Sequence, residues 1–362
     1  MPPERDVIRI ADVAGRHALI GEEVERRVIE VLRSGRYIGG PVVAEAEAAA
    51  ARWFDRKGAV GVNSGTDALI LALQAVGVRP GDEVIIPALS FFATAGAVCA
   101  AGATPVICDV RPDATIDLTS AAEAQSSKTT AVVPVHLYGT QAHRPDLGVP
   151  VVDDAAQAIG GIPSRSNGDL SSVSTYPTKT WGAAGDGGFV VGDDPELLTR
   201  VRRIANHGMR GVPHEHHTIE GLVGRNTRLD AIQAAVLLAQ EARLGEWADK
   251  RRANAARYDA ELPDSVRPLD RGEGSPVHQY VALVDDRASV LTRLEELGVH
   301  AGAYYPMPMH HQAALAGRCR ATPTPNADHI AAHCIALPVH ERLTPEEIGK
   351  VITAMHRAVG AS

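Results

Sequence analysis

The chain has 362 residues, of which 45% are hydrophobic and 22% are charged, as in most globular proteins. Its formal net charge of −8 argues against a nucleic-acid-binding protein, since such proteins concentrate basic residues on one surface. No apolar run reaches the roughly 20 residues of a membrane-spanning helix, and the first residues lack the pattern of a signal peptide, so we expect a cytoplasmic protein.

The first part of the sequence predicts two helices, then a strand, a turn and a third helix. Residues 20–32 place apolar side chains at helical spacing, and a Ser-Gly pair follows them as a stop signal. A second, alanine-rich helix follows Pro41. After a short apolar strand, small residues turn the chain near Asn63 and an apolar helix begins.

From Pro80 onward, apolar strands alternate with helices. We predict strands within the segments 82–88, 104–110, 129–139, 149–160 and 189–193. Because the strands are almost continuously apolar, the pattern indicates an α/β fold with a parallel sheet that is covered on both faces.

The last part of the sequence predicts a smaller unit of mixed structure. One long helical stretch is expected over residues 228–262, and its charge density rises after Glu241, as it does where a helix leaves a core and links two domains. A strand, a helix and a closing helix with Thr344 as its N-cap follow. We therefore divide the chain into an N-terminal arm (1–14), a large domain (15–245) and a small C-terminal domain (246–362).

Two polar motifs stand where predicted strands end. The segment 63–69 turns from a strand into a helix, which presents free backbone amides and the positive end of a helix dipole to an anion. Asp153 and Asp154 follow an apolar strand, where open α/β sheets bind their ligands, and such a carboxylate could hold a metal or a protonated ring nitrogen. Each motif alone also fits a capped helix start.

A third motif contains Lys179, which lies among turn-forming residues and precedes a glycine-rich run. Burial lowers the pKa of a lysine amine because desolvation disfavours the charged form. A neutral amine is what Schiff-base chemistry requires. An anion site, a strand-end carboxylate and this lysine together supply the three groups that pyridoxal 5′-phosphate (PLP) needs.

Sequence blocks along nearly the whole chain resemble those of the DegT/DnrJ/EryC1/StrS family of PLP-dependent sugar aminotransferases. They are SGRYIGGP, AVGVNSGTDAL, PGDEVIIPALSFFATA, VPVHLYG, DDAAQA, YPTKTWGAAGDGG, GRNTRLDAIQAAVL, YYPMPMHHQ and ALPVHERLT. The resemblance implies fold type I, with an αβα large domain around a mostly parallel seven-stranded sheet and a smaller C-terminal α/β domain.

The resemblance also implies residue roles. Lys179 would hold PLP as a Schiff base and then move the proton between Cα of the donor and C4′ of the cofactor. Asp154 would keep the pyridine nitrogen protonated, and Gln157 would contact the 3′-oxygen side of the ring. Gly65, Thr66 and Ser174 would bind the cofactor phosphate. Phe91 would stack on the pyridine ring, and Asn226 would reach the phosphate of the neighbouring subunit's cofactor.

The implied enzyme is a homodimer with active sites shared across the interface. It would transfer the amino group of L-glutamate to a keto group of a nucleotide-linked deoxysugar, with dTDP as the expected carrier. Four residues in the resembling blocks are candidate substrate contacts: Tyr37, Arg225, Tyr305 and His310. Two connections, 141–150 and 162–169, are shorter than is usual in the family, which should trim surface elements and leave the strand ends intact.

Several alternatives remain open at this point. Other branches of the family aminate cyclitol ketones or make aminated aromatic precursors, and a sugar dehydratase branch carries His in place of the lysine. A PLP-binding sensor without turnover is a different class, and it would not convert its cofactor when given glutamate. We expect no metal site, because the four cysteines are dispersed and the run His214, His216 and His217 has few acidic neighbours.

Overall fold

The computed structural model describes residues 7–161, 168–209, 219 and 221–360. No helix in these ranges is both long and apolar enough to cross a membrane. The α-helices are Val13–Ser34 (α1), Pro41–Trp53 (α2), Gly65–Ala75 (α3), Ala93–Ala100 (α4), Leu118–Ala124 (α5), Pro195–Ala205 (α6), Ala231–Gln240 (α7), Leu244–Glu261 (α8), Arg287–Glu296 (α9), Pro325–His333 (α10) and Pro345–Val359 (α11). The strands are Gly58–Val62 (β1), Glu83–Pro87 (β2), Thr104–Cys108 (β3), Thr129–Val132 (β4), Val152–Asp154 (β5), Leu170–Ser174 (β6), Gly188–Gly192 (β7), Arg267–Pro268 (β8), Tyr280–Leu283 (β9), Arg320–Ala321 (β10) and Cys334–Leu337 (β11).

The strands β1 to β7 form one continuous sheet. Two four-stranded arrays, β1-β7-β6-β5 and β4-β2-β3-β10, are joined by parallel bridges from Val132 to Val151 and from Val135 to Asp154. Only β7 runs antiparallel to its neighbours. The predicted mostly parallel seven-stranded sheet is confirmed, and the two-residue strand β10 extends its edge.

The side chains of the central strands point alternately to two buried faces, so the strands are continuous apolar runs in the sequence. Val84 and Ile86 of β2 lie in one hydrophobic cluster, whereas Ile85 lies in another with Val106 and Val132. Successive strand residues point to opposite faces, and both faces are covered by helices or loops. Every position of β2 is therefore buried.

Strand β6 was not predicted, because its sequence Leu-Ser-Ser-Val-Ser lacks an apolar pattern. It nevertheless lies between β5 and β7 in the interior of the sheet. Ser171 donates its hydroxyl hydrogen to the Asp153 carboxylate at 3.2 Å, and Ser172 donates to the Asp153 carbonyl at 3.2 Å. These internal hydrogen bonds offset the cost of burying two hydroxyl groups.

The predicted helical stretch over residues 228–262 is broken. Helix α7 ends at Gln240, a 3-10 turn spans Glu241–Arg243, and α8 begins at Leu244. The proposed domain boundary at residues 245 and 246 falls in the first turn of α8, and the division into domains stays a prediction. The short connection 141–150 contains neither helix nor strand.

The C-terminal part contains a three-stranded antiparallel sheet in the order β11-β9-β8. Residues of α8, α9 and α11 share a hydrophobic cluster with this sheet. Helix α11 begins with a capping box between Thr344 and Glu347, which confirms the predicted N-cap. At the other end of the chain, Ile8 pairs with Val299, so residues just before α1 lie against the C-terminal part.

Candidate active site

A cavity of about 550 Å³ opens beyond the carboxyl ends of β5 and β6, between the sheet and the C-terminal part. This is the edge where open α/β sheets bind their ligands. Eight of the residues singled out from the sequence line it: Gly65, Thr66, Phe91, Asp154, Gln157, Ser174, Lys179 and Tyr305.

The two adjacent carboxylates at the end of β5 point to opposite faces of the sheet, as alternation requires. Asp153 is buried, and its side chain accepts hydrogen bonds from Gly168 N at 2.6 Å and from Ser171. Asp154 faces the cavity and accepts a hydrogen bond from the Thr94 hydroxyl at 2.8 Å. Thr94 lies 2.7 Å from the Ser90 hydroxyl, so Ser90 must donate in that contact. Asp154 is thus the carboxylate available to a ligand.

Lys179 lies in the loop between β6 and β7. Its amide donates to the Tyr176 carbonyl at 2.8 Å, and its carbonyl accepts from Arg16 at 2.6 Å. The residue is half-buried, and its side chain lines the cavity. Burial lowers the pKa of Lys179 to about 8, against the opposing attraction of the Asp154 carboxylate. A substantial fraction of the amine is therefore neutral near physiological pH.

The start of α3 provides an anion site. The Ser64 side chain caps Asp67 N, and the Ser64 carbonyl accepts from Ala68 N. Among the described residues, the amides of Gly65 and Thr66 donate to no protein acceptor, and both residues line the cavity. A Cβ built on Gly65 would lie 2.5 Å from Ser174 Cβ, so only glycine allows this close approach.

These groups fit PLP. The free amides at the N-terminus of α3 match a phosphate, the Asp154 carboxylate matches a protonated ring nitrogen, and the Lys179 amine matches the aldehyde. The cavity also holds Gln157, whose side-chain oxygen accepts a hydrogen bond from Tyr138 N and whose amide nitrogen lies 3.5 Å from the Tyr305 hydroxyl.

Aromatic side chains bound the cavity on its exposed side. Phe91 is 60% exposed, and its ring centroid lies 6.1 Å from that of Tyr305. Tyr176 is also largely exposed and lines the cavity. Phe91 is therefore free to stack on a planar ligand that enters above Asp154.

Four residues singled out from the sequence lie outside the cavity lining. Tyr37 is half-exposed and donates to the Leu32 carbonyl, and His310 lies 3.5 Å from the Thr324 hydroxyl. Arg225 lies 3.8 Å from the Asp67 carboxylate. Asn226 accepts a hydrogen bond from Arg228. Within one chain, the structure does not bring these four side chains to the residues around Lys179.

Several residues in or next to the cavity were not singled out from the sequence. Thr94, which is buried behind Asp154, looked like an ordinary helix residue, and the cavity residue Arg251 looked like part of a solvated helix face. His278 and Gln279 immediately precede β9, and their buried atoms Nδ1 and Oε1 have no hydrogen-bond partner among the described residues. The sequence offered no clear signal for His278 and Gln279, because both fall within the segment predicted as a strand and precede β9 of the C-terminal sheet rather than following a strand of the central sheet.

No three His, Cys, Asp or Glu side chains in the ranges that the structure describes are grouped so as to hold a metal ion. The histidine run at 214, 216 and 217 lies outside those ranges.

Substitution of Gly65 by alanine tests the anion site. The added Cβ would also lie 3.0 Å from Ser174 Oγ, so the start of α3 must move away from β6. Overpacking of this kind costs about 1–3 kcal/mol, and we expect the affinity for PLP to fall by about 10- to 100-fold, measured by spectroscopic titration of cofactor-free protein. Gly245→Ala is the control, because nothing lies within 4 Å of its added Cβ. Equal PLP affinities in the two variants would contradict the assignment.

The pKa of Lys179 predicts a pH dependence for PLP uptake by the cofactor-free chain. The reactive neutral amine becomes more abundant as pH rises, so the uptake rate should increase and level off above about pH 8. Asp154→Asn removes the attraction that raises the pKa, and its midpoint should move to lower pH. A midpoint near 10.5, the ordinary value for lysine, would show that the amine is not desolvated.

The chain matches the model of the DegT/DnrJ/EryC1/StrS aminotransferase family over residues 18–356. It is 37% identical over 361 residues to the dTDP-3-amino-3,4,6-trideoxy-alpha-D-glucose transaminase of Streptomyces venezuelae, covering 95% of this chain and 94% of that protein. It is 36% identical over 376 residues to the UDP-N-acetyl-3-dehydro-alpha-D-glucosamine 3-aminotransferase of Acidithiobacillus ferrooxidans, covering 98% of this chain and 99% of that protein.

Solved structures show the same fold. The X-ray crystal structure of S. venezuelae DesV in complex with a ketimine intermediate is similar at a TM-score of 0.90 and 34% identity, covering 98% of this chain and 99% of that chain. The resemblance inferred from the sequence blocks is confirmed, and so is fold type I. The protein is a transaminase with PLP as its cofactor. The chain belongs to the DegT/DnrJ/EryC1/StrS aminotransferase family.

Proposed function

We propose that this transaminase moves the amino group of L-glutamate to the C3 keto group of a dTDP-linked deoxysugar. The observation that carries the proposal is the joint presence in one cavity of the Lys179 amine, the Asp154 carboxylate and the free amides at the start of α3. The names of the two relatives support the choice of substrate, since one refers to a dTDP-linked 3-amino sugar and the other to amination at C3 of a UDP-linked sugar.

Five residues of the cavity bind and orient the cofactor in this proposal. Gly65 and Thr66 donate backbone hydrogen bonds to the cofactor phosphate, with Ser174 beside them. Asp154 holds the proton on the ring nitrogen, and Gln157 contacts the 3′-oxygen side. PLP, when bound, supplies an electron sink for the negative charge that develops at the α-carbon of the amino donor.

Lys179 carries the proton transfers. Once freed by the incoming amine, its Nζ would remove the α-proton of L-glutamate and deliver a proton to C4′, and one water molecule would supply the keto oxygen with which the donor leaves as 2-oxoglutarate. The same steps run in reverse with the keto sugar, so that the amino group replaces the keto oxygen, which leaves as water. A pKa near 8 suits both directions, because Lys179 must accept and return a proton at similar pH.

We further propose a homodimer in which Asn226 reaches the phosphate site of the partner subunit. Large apolar side chains are exposed near the cavity mouth and in the segment after α1, among them Phe91, Tyr176 and Ile38. Exposed apolar surface of this kind is typical of an interface. Asn226 is exposed and accepts hydrogen bonds from Arg228 at 3.0 and 3.1 Å, which fixes its carbonyl oxygen and leaves its amide donors for a phosphate.

Mixing two inactive variants tests the shared site. Asn226→Asp places a carboxylate opposite the phosphate, and Lys179→Ala removes the proton carrier. If each site takes Lys179 from one subunit and Asn226 from the other, a mixed dimer contains one site with both natural residues, and subunit exchange should restore activity. Absence of activity after exchange, verified by mass spectrometry of differently tagged subunits, would contradict sharing.

The substrate is tested by incubating the glutamate-treated protein with a set of ketones. We expect amine formation, detected by mass spectrometry, with a dTDP-3-keto-6-deoxysugar, and slower formation with a dTDP-4-keto or a UDP-linked 3-keto sugar. Faster amination of scyllo-inosose than of every nucleotide sugar would favour the cyclitol branch and overturn the proposed substrate. Positional analysis of the product distinguishes C3 from C4.

A further inference from the structure

A buried carboxylate, Glu341, lies between two arginines behind the cavity. Glu341 follows β11, Arg16 lies in α1 and Arg251 in α8. Arg16 Nε is 2.7 Å from Glu341 Oε1, and Arg251 Nη2 and Nε are 2.8 and 3.0 Å from Glu341 Oε2. The side chains of Arg16, Glu341 and Arg251 are 6%, 1% and 4% exposed. Each carboxylate oxygen is thus held by a different helix.

The far ends of both guanidinium groups hold backbone that faces the cavity. Arg16 Nη1 donates to the carbonyl of Lys179 at 2.6 Å and to that of Pro177 at 3.3 Å. Arg251 Nη1 donates to the carbonyl of His278 at 3.1 Å. One carboxylate therefore connects the main chain of Lys179 with that of His278, and the side chains of both residues line the cavity.

Stability alone does not account for this arrangement. A buried ion pair is often no more stabilising than apolar side chains of the same volume, because both partners lose their hydration. Here two guanidinium groups share one carboxylate, which leaves an excess of buried positive charge. Burial alone would raise the pKa of Glu341, but Arg251 and Arg16 lower it to about 2, so the carboxylate stays ionised. The network instead fixes the positions of the groups that it binds, because a guanidinium fork constrains both the direction and the distance of its acceptors.

We propose that Glu341 is a positioning residue for Lys179. Through Arg16 it fixes the backbone of Lys179, and through Arg251 it fixes the backbone of His278. The Lys179 amine and the His278 imidazole therefore keep the same relative position across the cavity. This inference rests on the proposed role of Lys179 in proton transfer. Asp154 and His278 are the groups of other elements that interact electrostatically with Lys179. The other titratable or charged residues that line the same cavity are Tyr176, Asp186, Arg251, Tyr304 and Tyr305.

Two substitutions in the PLP-bound full chain separate charge from position. Glu341→Gln removes the carboxylate charge and leaves two buried cations behind Lys179. Because these cations disfavour a proton on Lys179 Nζ, the pH midpoint of the absorbance change of the bound cofactor should move down by about one unit. Arg16→Lys keeps a positive charge beside Glu341 but loses the fork that reaches the Lys179 carbonyl. That midpoint should stay near the parental value.

The rate of the single-turnover reaction with L-glutamate should fall in both variants, by about 10- to 100-fold, because small displacements of a reacting group carry costs of this size. Glu83→Gln is the matched control. Glu83 also pairs with an arginine, Arg320 at 2.8 Å, but it is the first residue of β2 and so lies at the amino end of the sheet, away from the cavity. Its midpoint and rate should both equal those of the parent, whatever its melting temperature.

A folded Arg16→Lys protein with the parental rate would overturn the proposal. So would a Glu341→Gln protein with an unchanged midpoint. If Glu341→Gln does not fold, the Arg16→Lys rate decides alone. A parent that binds PLP but does not react with glutamate would refute the proposed function instead, and the midpoint of Glu341→Gln would still test the coupling of Glu341 to Lys179.

Discussion

Replacement of Lys179 by alanine is expected to abolish transamination, with a loss of about 10⁴-fold or more, because one side chain both anchors the cofactor and carries the proton. The side chain faces the cavity and makes no ion pair within the described part of the chain, so the fold should be retained. The measurement is the single-turnover rate with L-glutamate, together with the melting temperature of the variant.

An exposed lysine provides the control for this substitution. Lys57 lies at the surface just before β1, and its replacement by alanine should leave the rate unchanged. A small added amine such as methylamine should restore part of the rate of Lys179→Ala, since it can accept the α-proton in the space left by the side chain. A parental rate in Lys179→Ala would remove this residue from the mechanism.

The second large effect is expected for Asp154→Asn. A neutral amide cannot keep the ring nitrogen protonated, so the electron sink is weakened while the volume of the side chain hardly changes. Loss of one preorganised electrostatic contact typically costs about 10²- to 10³-fold in rate, and we expect a loss of at least this size in kcat. Thr94, which donates to the Asp154 carboxylate, can still donate to the amide oxygen of the variant.

The adjacent carboxylate is the matched control for Asp154. Asp153 lies on the other face of β5, where its buried carboxylate accepts hydrogen bonds from Gly168 N and Ser171. Asp153→Asn removes the charge of this carboxylate. It should lower the melting temperature and leave kcat within a few-fold of the parental value. Equal kcat losses in the two variants would mean that the carboxylates act on the fold rather than on the cofactor.

The sequence predicted most of the central sheet because six of the strands β1 to β7 carry their own apolar signal. The apolar runs around Ile85 and Val106 fill both faces of a parallel sheet, and nothing distant is needed to recognise them. Strand β6 escaped prediction because its serines are satisfied by Asp153, a partner in another strand. Likewise the break at Glu241–Arg243 contains neither glycine nor proline.

The site residues also divide into those with a local sequence signal and those that depend on tertiary contacts. Lys179 and Asp154 stand in local motifs, whereas Arg16 and Glu341 are 325 residues apart and meet only in the folded chain. Arg251 lies in a helix rich in charged residues, most of which face solvent, and its burial could not be inferred from spacing. Residues that act through tertiary contacts leave no pattern in the sequence.

The reaction of the PLP-bound protein with L-glutamate, in the absence of any keto sugar, tests the central claim most directly. We expect the absorbance band of PLP to be replaced by that of pyridoxamine phosphate, with one equivalent of 2-oxoglutarate released per subunit. A protein that binds PLP through Lys179, yet keeps its PLP band and releases no 2-oxoglutarate, would contradict the proposed use of glutamate as the amino donor.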